Sequence, residues 1–296
     1  MPAIITAIRL SQVFRIRISA EPDVSISEIS SFIRQVGHWI RNKEGKAIQG
    51  TLGFTGALLK IVRRVSPTHL LVLFDGEHPN GRAELDPAYK ANRVDYTAVP
   101  DDDNPFSQLP DIVAALDFMG IRHAETTDGE TDDAIAGYVG RYRGRIPIVI
   151  SSLDSDFFQL IGKTVTVLRY RGEHTVLCDT AYVLDRFGIS PGLFADFKAL
   201  VGDPSDNIKG ADRVGPKTAA ALLHRFGGLE EILQDADTIG QAAVRASIQA
   251  NADRLRLNAR LIRLRGGGAL PFDIGELAYQ DSGMTTNEVL AGIGLK

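Results

Sequence analysis

Cysteine is almost absent from this chain of 296 residues, since Cys178 is its only one. This excludes an intrachain disulfide framework, and we expect a reducing, cytoplasmic location. Long hydrophobic runs are also absent, because no apolar stretch approaches the ~20 residues that a transmembrane helix needs. Acidic side chains are missing from the first twenty residues, which hold Arg9, Arg15 and Arg17. That segment faintly resembles a transit peptide but has no apolar signal-peptide core. We therefore expect a soluble protein without a membrane partner.

What the chain does contain is acidic residues that recur near the ends of predicted strands, in four separate places. Asp75 directly follows the apolar run from His69 to Phe74, which has the length expected of a buried parallel strand. The other groups precede a helical stretch, follow a second strand candidate and lie in a turn-rich loop. They are Glu130, Asp132 and Asp133; Asp154 and Asp156; and Asp203 and Asp206.

These four groups predict a metal site. In an open parallel sheet, ligands bind beyond the carboxyl ends of the strands, so acidic residues from distant parts of the chain can converge there. Two carboxylates about 4 Å apart repel by roughly 4 kcal/mol at an effective dielectric near 20, so such a cluster needs cations. Oxygen ligands without Cys or His partners favour Mg²⁺ or Mn²⁺, and we expect two or more ions. Any one of these residues could instead be a solvated loop residue or a helix cap.

An excess of positive charge is also lacking, because the net charge is −4. If the eight proposed ligand carboxylates are set aside, the remainder carries +4. Bound divalent ions would neutralise much of the cluster, so a polyanionic substrate is not excluded.

Strand and helix signals alternate in the first part of the chain, which predicts a doubly wound, mostly parallel α/β sheet. The polar stretch 77–108 has few core-like residues, which indicates a long excursion, and the pattern after about residue 180 is mainly helical. We therefore predict an α/β domain at 1–180 and a helical lobe at 181–296. The predicted elements that alternate are helices at 53–65, 109–119 and 134–142 and strands at 69–74, 121–124 and 146–150. In the helical lobe, helices are predicted at 182–187, 194–201, 217–226, 229–234 and 255–264.

A first signal for nucleic acid lies in the polar stretch, where Arg82, Lys90 and Arg93 surround Tyr89. Cations around an aromatic ring suit phosphate contacts combined with base stacking. On composition alone, a solvated helix face with a half-buried tyrosine explains the pattern better. The context of the other motifs favours a DNA contact.

A second signal is the segment 210–219, in which Gly210 and Gly215 bracket a short turn before a helix that begins at Pro216. Proline is favoured at the first helical position, and the free N–H groups of a helix N-terminus attract phosphate. Lys217 adds a positive charge. The pattern is typical of a helix-hairpin-helix, at about 207–224, which binds the duplex backbone without reading bases. An ordinary helix start would show the same residues.

These motifs, in this order and spacing, resemble the 5′ nuclease family: the 5′→3′ exonuclease domain of bacterial DNA polymerase I and the related flap endonucleases. The resemblance extends from about Asn42 to Asp273. It rests on the segments 67–76, 82–93, 130–133, 154–156, 202–207 and 210–219.

The resemblance implies a PIN-like α/β nuclease domain, a helical arch at about 77–108 and a C-terminal DNA-binding lobe, whose hairpin motif often holds K⁺. It implies that the acidic residues bind the catalytic metals. Asp75, Glu130, Asp132 and Asp133 would serve the first metal position, Asp154 and Asp156 would lie between the sites, and Asp203 and Asp206 would serve the second. Arg82, Tyr89, Lys90 and Arg93 would line the arch base that steers the 5′ strand, and Gly210, Gly215 and Lys217 would contact the duplex.

The N-terminus departs from the family pattern, which begins with a strand ending in Asp-Gly whose Asp is a metal ligand. Residues 1–41 offer strand-like Val13 to Ile18 and the acidic candidate Asp23, whose sequence context is that of a turn or helix cap. Either a wrong reading frame or start site has altered this segment, which we favour, or the protein lacks this ligand and binds its first metal poorly.

The function that we predict is metal-dependent hydrolysis of DNA with 5′ ends or flaps. No polymerase domain follows, so we expect a free-standing monomeric nuclease. Two alternatives remain: a protein that binds branched DNA with impaired or no hydrolysis, because the first-strand Asp is missing, and a PIN-type ribonuclease.

Overall fold

The computed structural model describes residues 3–7, 40–75, 81–92, 104–126, 129–267 and 269–296. A six-stranded sheet organises the first part of the chain, and a two-stranded ribbon lies in the second part. The strands are β1 (Ala3–Ala7), β2 (His69–Phe74), β3 (Arg122–Glu125), β4 (Ile148–Ser151), β5 (Val165–Arg169), β6 (Val176–Cys178), β7 (Gly202–Asp203) and β8 (Ile208–Lys209). The order in the sheet is β3-β2-β1-β4-β5-β6, with β6 antiparallel and the other neighbours parallel.

Helices connect and follow these strands, as the alternation of the sequence predicts. They are α1 (Gln49–Val65), α2 (Gly81–Leu85), α3 (Leu109–Phe118), α4 (Thr131–Tyr142), α5 (Thr180–Phe187), α6 (Phe194–Val201), α7 (Pro216–Phe226), α8 (Leu229–Gln234), α9 (Ala242–Ala250), α10 (Ala252–Ile262) and α11 (Thr286–Gly292). None of the helices in the described ranges is long and apolar enough to cross a membrane.

The central strand of the sheet is β1, which pairs with β2 on one side and β4 on the other. The sequence analysis does not include this strand, because two of its five residues are alanine, which is not typical of strands. The strand predicted at Val13 to Ile18, and the candidate Asp23, lie outside the described residues. The sequence after β1 holds no acidic residue before Glu21.

Both faces of β2 are buried, as expected of a parallel strand that is covered by helices. Along β2, Leu71 and Leu73 pack into one apolar cluster, while Leu70, Val72 and Phe74 pack into another on the opposite face. The first cluster continues into the helical lobe through Phe194 and its neighbours, whereas the second is covered by α1, α3 and Val289 of α11. The first cluster therefore joins one face of the sheet to the helical lobe.

The polar stretch is packed more closely than its sequence suggests. Arg82 in α2 is 4% exposed and Tyr89 is 6% exposed, so both side chains are buried. Two buried side chains therefore anchor residues 81–92, although most other residues of this segment are exposed. The burial of Arg82 and Tyr89 cannot be predicted from the polar composition of the segment, because their partners are charged groups from distant parts of the chain.

Candidate metal centre and its surroundings

The first acidic group is assembled by the start of α4. Glu130 precedes this helix in extended conformation, and Asp132 and Asp133 lie in its first turn, where the helix dipole favours negative charge. The backbone N–H of Thr131 donates to Oδ1 of Asp75, at 3.3 Å. Asp75, which follows β2, is thereby held against the start of α4. The structure therefore brings together two of the groups that are far apart in the sequence.

Two of these carboxylates bind cations of the protein itself. Nη1 of Arg82 lies 2.9 Å from Glu130 and 2.8 Å from Asp133, and its Nη2 lies 2.9 Å from the other oxygen of Asp133. Nζ of Lys90 lies 2.5 Å from Glu130, and the Tyr89 hydroxyl donates to the same carboxylate at 3.2 Å. Burial alone would lower the pKa of Arg82, but the carboxylates of Asp133 and Glu130 outweigh this effect. The pKa of Arg82 is therefore raised, and the side chain keeps its charge. Sequence reasoning assigned Arg82, Tyr89 and Lys90 to DNA, whereas their contacts here are with Glu130 and Asp133.

The second acidic group is formed by two short 3₁₀ turns. Asp154, which follows β4, begins one of them and accepts a hydrogen bond from the N–H of Asp156, at 2.9 Å. Asp203 begins the other and accepts bonds from the N–H and Oγ of Ser205, at 3.0 and 2.6 Å. One oxygen each of Asp156, Asp203 and Asp206 lies within 4.8 Å of the others, and all three residues are buried. We name this set the aspartate triad.

A buried lysine that sequence reasoning missed enters this group from α6. Nζ of Lys198 forms ion pairs with Oδ1 of Asp156 and with Oδ2 of Asp203, the latter at 2.5 Å. The signal that could have revealed it is a lysine within the apolar sequence of α6, because a buried lysine needs an anionic partner.

The protonation of the triad reflects both burial and this lysine. Burial raises the pKa of Asp156 to about 7, although the ammonium of Lys198 acts in the opposite direction. Burial also acts to raise the pKa of Asp203, but Lys198 and Ser205 outweigh it, so that pKa lies below its ordinary value. The pKa of Lys198 is raised, because the carboxylates outweigh the effect of burial. Asp156 and Asp203 therefore share the positive charge of one buried ammonium group.

The segment that carries Tyr89 and Lys90 is fixed to the loop of the triad. The N–H of Lys90 donates to the carbonyl of Asp206 at 3.0 Å. Nδ2 of Asn92 donates to the carbonyl of Pro204, and Nδ2 of Asn207 donates to that of Ala88, at 3.1 and 2.8 Å. The two acidic groups therefore share a common scaffold. Arg93 lies outside the described residues.

The segment predicted to be a helix-hairpin-helix places its glycines in different roles. A Cβ atom on Gly210 would lie 2.3 Å from the carbonyl carbon of Val201, so the close approach of two backbones requires glycine there. Gly215 precedes α7 without steric contact, and Lys217 is exposed in the first turn of that helix. The start of α7 therefore presents N–H groups and a positive charge to solvent.

Fold and site together define a class: an α/β protein with a carboxylate centre of the kind that binds hard divalent ions, joined to a helical lobe. The family described as 5′-3′ exonuclease, N-terminal resolvase-like domain matches residues 30–188. The model described as 5′-3′ exonuclease, C-terminal SAM fold matches residues 189–284. The chain belongs to the 5′-3′ exonuclease family, and the predicted family and fold class are confirmed.

Curated relatives are bacterial DNA polymerases. The chain is 33% identical over 238 residues to a thermostable DNA polymerase I of Thermus thermophilus, covering 80% of this chain and 28% of that protein. It is 35% identical over 230 residues to DNA polymerase I of Treponema pallidum (strain Nichols), covering 76% and 22%. The chain therefore spans about a quarter of the length of these relatives.

Solved structures share the fold. T5 5′-exonuclease with bound zinc superposes with a TM-score of 0.65 at 18% identity, over 89% of this chain and 90% of that chain. The catalytic core of Rad2 in complex with DNA substrate superposes with a TM-score of 0.54 at 14% identity, over 99% and 92%. At these identities the likeness establishes the arrangement of sheet and helical lobe.

Proposed function

We propose that this protein is a structure-specific 5′ nuclease, which hydrolyses DNA phosphodiester bonds as a 5′→3′ exonuclease and 5′-flap endonuclease. The aspartate triad carries this proposal: three buried carboxylates from two loops have oxygens within 4.8 Å of one another. Buried like charges need cations nearby; Lys198 supplies one positive charge to two of these carboxylates, and a divalent ion would supply more. Membership of the family and the complexes of Rad2 with DNA and of T5 5′-exonuclease with metal ions support the proposal.

The donor set fits Mg²⁺ or Mn²⁺, since every candidate ligand is a carboxylate oxygen. We propose that Asp154, Asp156, Asp203 and Asp206 hold one ion, and that Asp75, Glu130, Asp132 and Asp133 contribute to a further position. When bound, such ions lower the pKa of a coordinated water toward about 7 and stabilise the attacking and leaving oxygens of an in-line displacement.

The remaining residues are proposed to position DNA. The exposed start of α7, with Gly215 and Lys217, suits a phosphate of the duplex backbone, and Gly210 keeps the preceding ribbon in place. Arg82, Tyr89, Lys90 and Arg93 are proposed to guide the 5′ strand at the arch base. We further propose a nuclease domain at 1–180, a DNA-binding lobe at 181–296, K⁺ at the hairpin motif, a monomeric state and a cytoplasmic location.

A flap assay tests the proposal. The purified chain with Mg²⁺ should cut a 5′-flapped duplex near the junction, and Asp203→Asn should lower the rate by at least about a hundredfold, because it removes charge from the centre that stabilises the transition state. Asp179→Asn is the matched control, since Asp179 caps α5 away from the triad and asparagine caps a helix equally well. Cleavage by Asp203→Asn at the wild-type rate would show that the assigned centre is wrong.

A second function has a specific observation in its favour. The central strand β1 is followed by no acidic residue before Glu21, and Glu130 and Asp133 already bind Arg82. Both facts lower the expected affinity of the first position for a divalent ion. A chain without this ion would bind branched DNA without hydrolysing it. Tight binding of the flap substrate without any cleavage in Mg²⁺ or Mn²⁺ would decide for this alternative.

A further inference from the structure

Lys198 lies in a part of the molecule where a charged side chain is unfavourable unless it has a partner. Helix α6 is buried along almost its whole length, with Phe194, Phe197 and Leu200 in the core. The side chain of Lys198 is 10% exposed. Because α6 is packed tightly in the core, the aliphatic part of the Lys198 side chain is fixed, and its ammonium group is held in one position.

That position is the aspartate triad. The ammonium forms ion pairs with one oxygen of Asp156 and one of Asp203, two of the three residues whose oxygens converge. Asp154 lies next to this pair, since its Oδ1 accepts the N–H of Asp156 at 2.9 Å. Two buried carboxylates of the triad therefore share the ammonium of Lys198.

A divalent ion bound by the triad would use the same carboxylates that the ammonium contacts. The two cations would lie a few ångströms apart and repel each other, and each would reduce what the other gains. Two ligands that weaken each other's binding in this way have a positive, unfavourable coupling free energy, and the tethered ammonium of Lys198 acts as one of these two ligands.

We infer that Lys198 is a built-in counter-cation of the metal centre, which stabilises the carboxylates before a divalent ion binds and weakens the binding of that ion. The inference rests on the metal site of the proposed function. It predicts two opposite effects of removing the ammonium group: the metal-free protein becomes less stable, and the divalent ion binds more tightly.

The test is Mn²⁺ binding to the DNA-free chain, followed by the electron paramagnetic resonance signal of free Mn²⁺. Lys198→Met keeps an unbranched apolar stem and removes the charge. It should bind Mn²⁺ roughly ten- to a hundredfold more tightly than the wild type, within the usual range of coupling between two sites. In EDTA its melting temperature should fall, and the rise in melting temperature on saturation with Mn²⁺ should exceed that of the wild type.

Two further variants separate charge from other effects. Lys163→Met removes an exposed lysine just before β5. This lysine lies at the end of the sheet where β4 and β5 begin, whereas the triad lies beyond the end of β4, so the variant should bind Mn²⁺ as the wild type does. Lys198→Arg keeps the charge and should bind Mn²⁺ less tightly than Lys198→Met. If Lys198→Arg and Lys198→Met bind equally tightly, side-chain shape and not charge is responsible, and the inference fails.

The remaining outcomes are also decisive. A Lys198→Met variant that is unfolded in EDTA but folded with Mn²⁺ supports the inference in its strongest form. A variant that is unfolded with or without Mn²⁺ overturns it, because the metal then cannot replace the lysine. Equal Mn²⁺ affinity in wild type and Lys198→Met overturns this inference alone. Absence of Mn²⁺ binding in the wild type overturns the metal site of the proposed function as well.

Discussion

Removal of the Arg82 guanidinium should destabilise the protein strongly. Its two terminal nitrogens contact both oxygens of Asp133, one oxygen of Glu130 and the carbonyl of Arg263, at distances between 2.8 and 3.1 Å. Loss of one partner from a buried ion pair costs about 3–5 kcal/mol, because a buried charge is left uncompensated. Lys90 still contacts Glu130 in Arg82→Met, so the lower end, about 3 kcal/mol, is expected.

Thermal and urea unfolding, followed by circular dichroism in EDTA, measure this loss. At about 2–4 °C for each kcal/mol, the melting temperature of Arg82→Met should fall by about 6–12 °C. Arg145→Met is the matched control, because Arg145 is exposed and its replacement should change stability by less than about 0.5 kcal/mol. The double variant Arg82→Met with Asp133→Asn should be less destabilised than the two single changes predict together. If Arg82→Met is as stable as Arg145→Met, the ion pairs described here do not hold this segment.

Two further predictions concern the helical lobe. Gly210→Ala should lower the free energy of unfolding in urea by more than about 3 kcal/mol, because its Cβ would lie 2.3 Å from the Val201 carbonyl carbon. Gly215→Ala should lower it by less than about 1 kcal/mol, because no atom lies within 4 Å of the added Cβ. Equal losses in the two variants would refute the steric argument. Lys217→Ala should weaken binding to duplex DNA of any sequence and reduce the slope of log affinity against log salt by about 1, as measured by fluorescence anisotropy; an unchanged slope would remove Lys217 from the interface.

Sequence reasoning located the elements whose local pattern is strong. The apolar run from His69 to Phe74 is a strand with those bounds, and α6 and α8 also begin and end where their spacing predicts. Asp75 lies against the start of α4, which agrees with the expected convergence of acidic groups beyond the strand ends. These successes depend on periodicity and on strand ends, which are properties of short segments.

Burial of charged residues could not be predicted in the same way. Arg82 and Glu130 are 48 residues apart, and no local pattern links them. In α6, the charges of Asp196 and Lys198 suggest exposure to solvent, yet both residues are buried. Asp196 accepts hydrogen bonds from Arg263 and from the N–H of Leu229, and Lys198 forms ion pairs with Asp156 and Asp203. Helices α9 and α11 were missed as well, since their few buried residues give a weak helical pattern. Such features depend on tertiary contacts that a single sequence does not reveal.

The inward-facing cations also change the electrostatic argument for DNA binding. Setting aside the eight acidic candidates leaves a charge of +4, but Arg82, Lys90 and Lys198 are engaged with those carboxylates, and without them the remainder is only +1. A charge of this size gives little overall attraction for a polyanion, so attraction must arise locally. Lys209, Arg213 and Lys217 are exposed around the start of α7, where N–H groups also face solvent. Salt should therefore weaken binding through this region, and the loss of one lysine there should be measurable against a nearly neutral background.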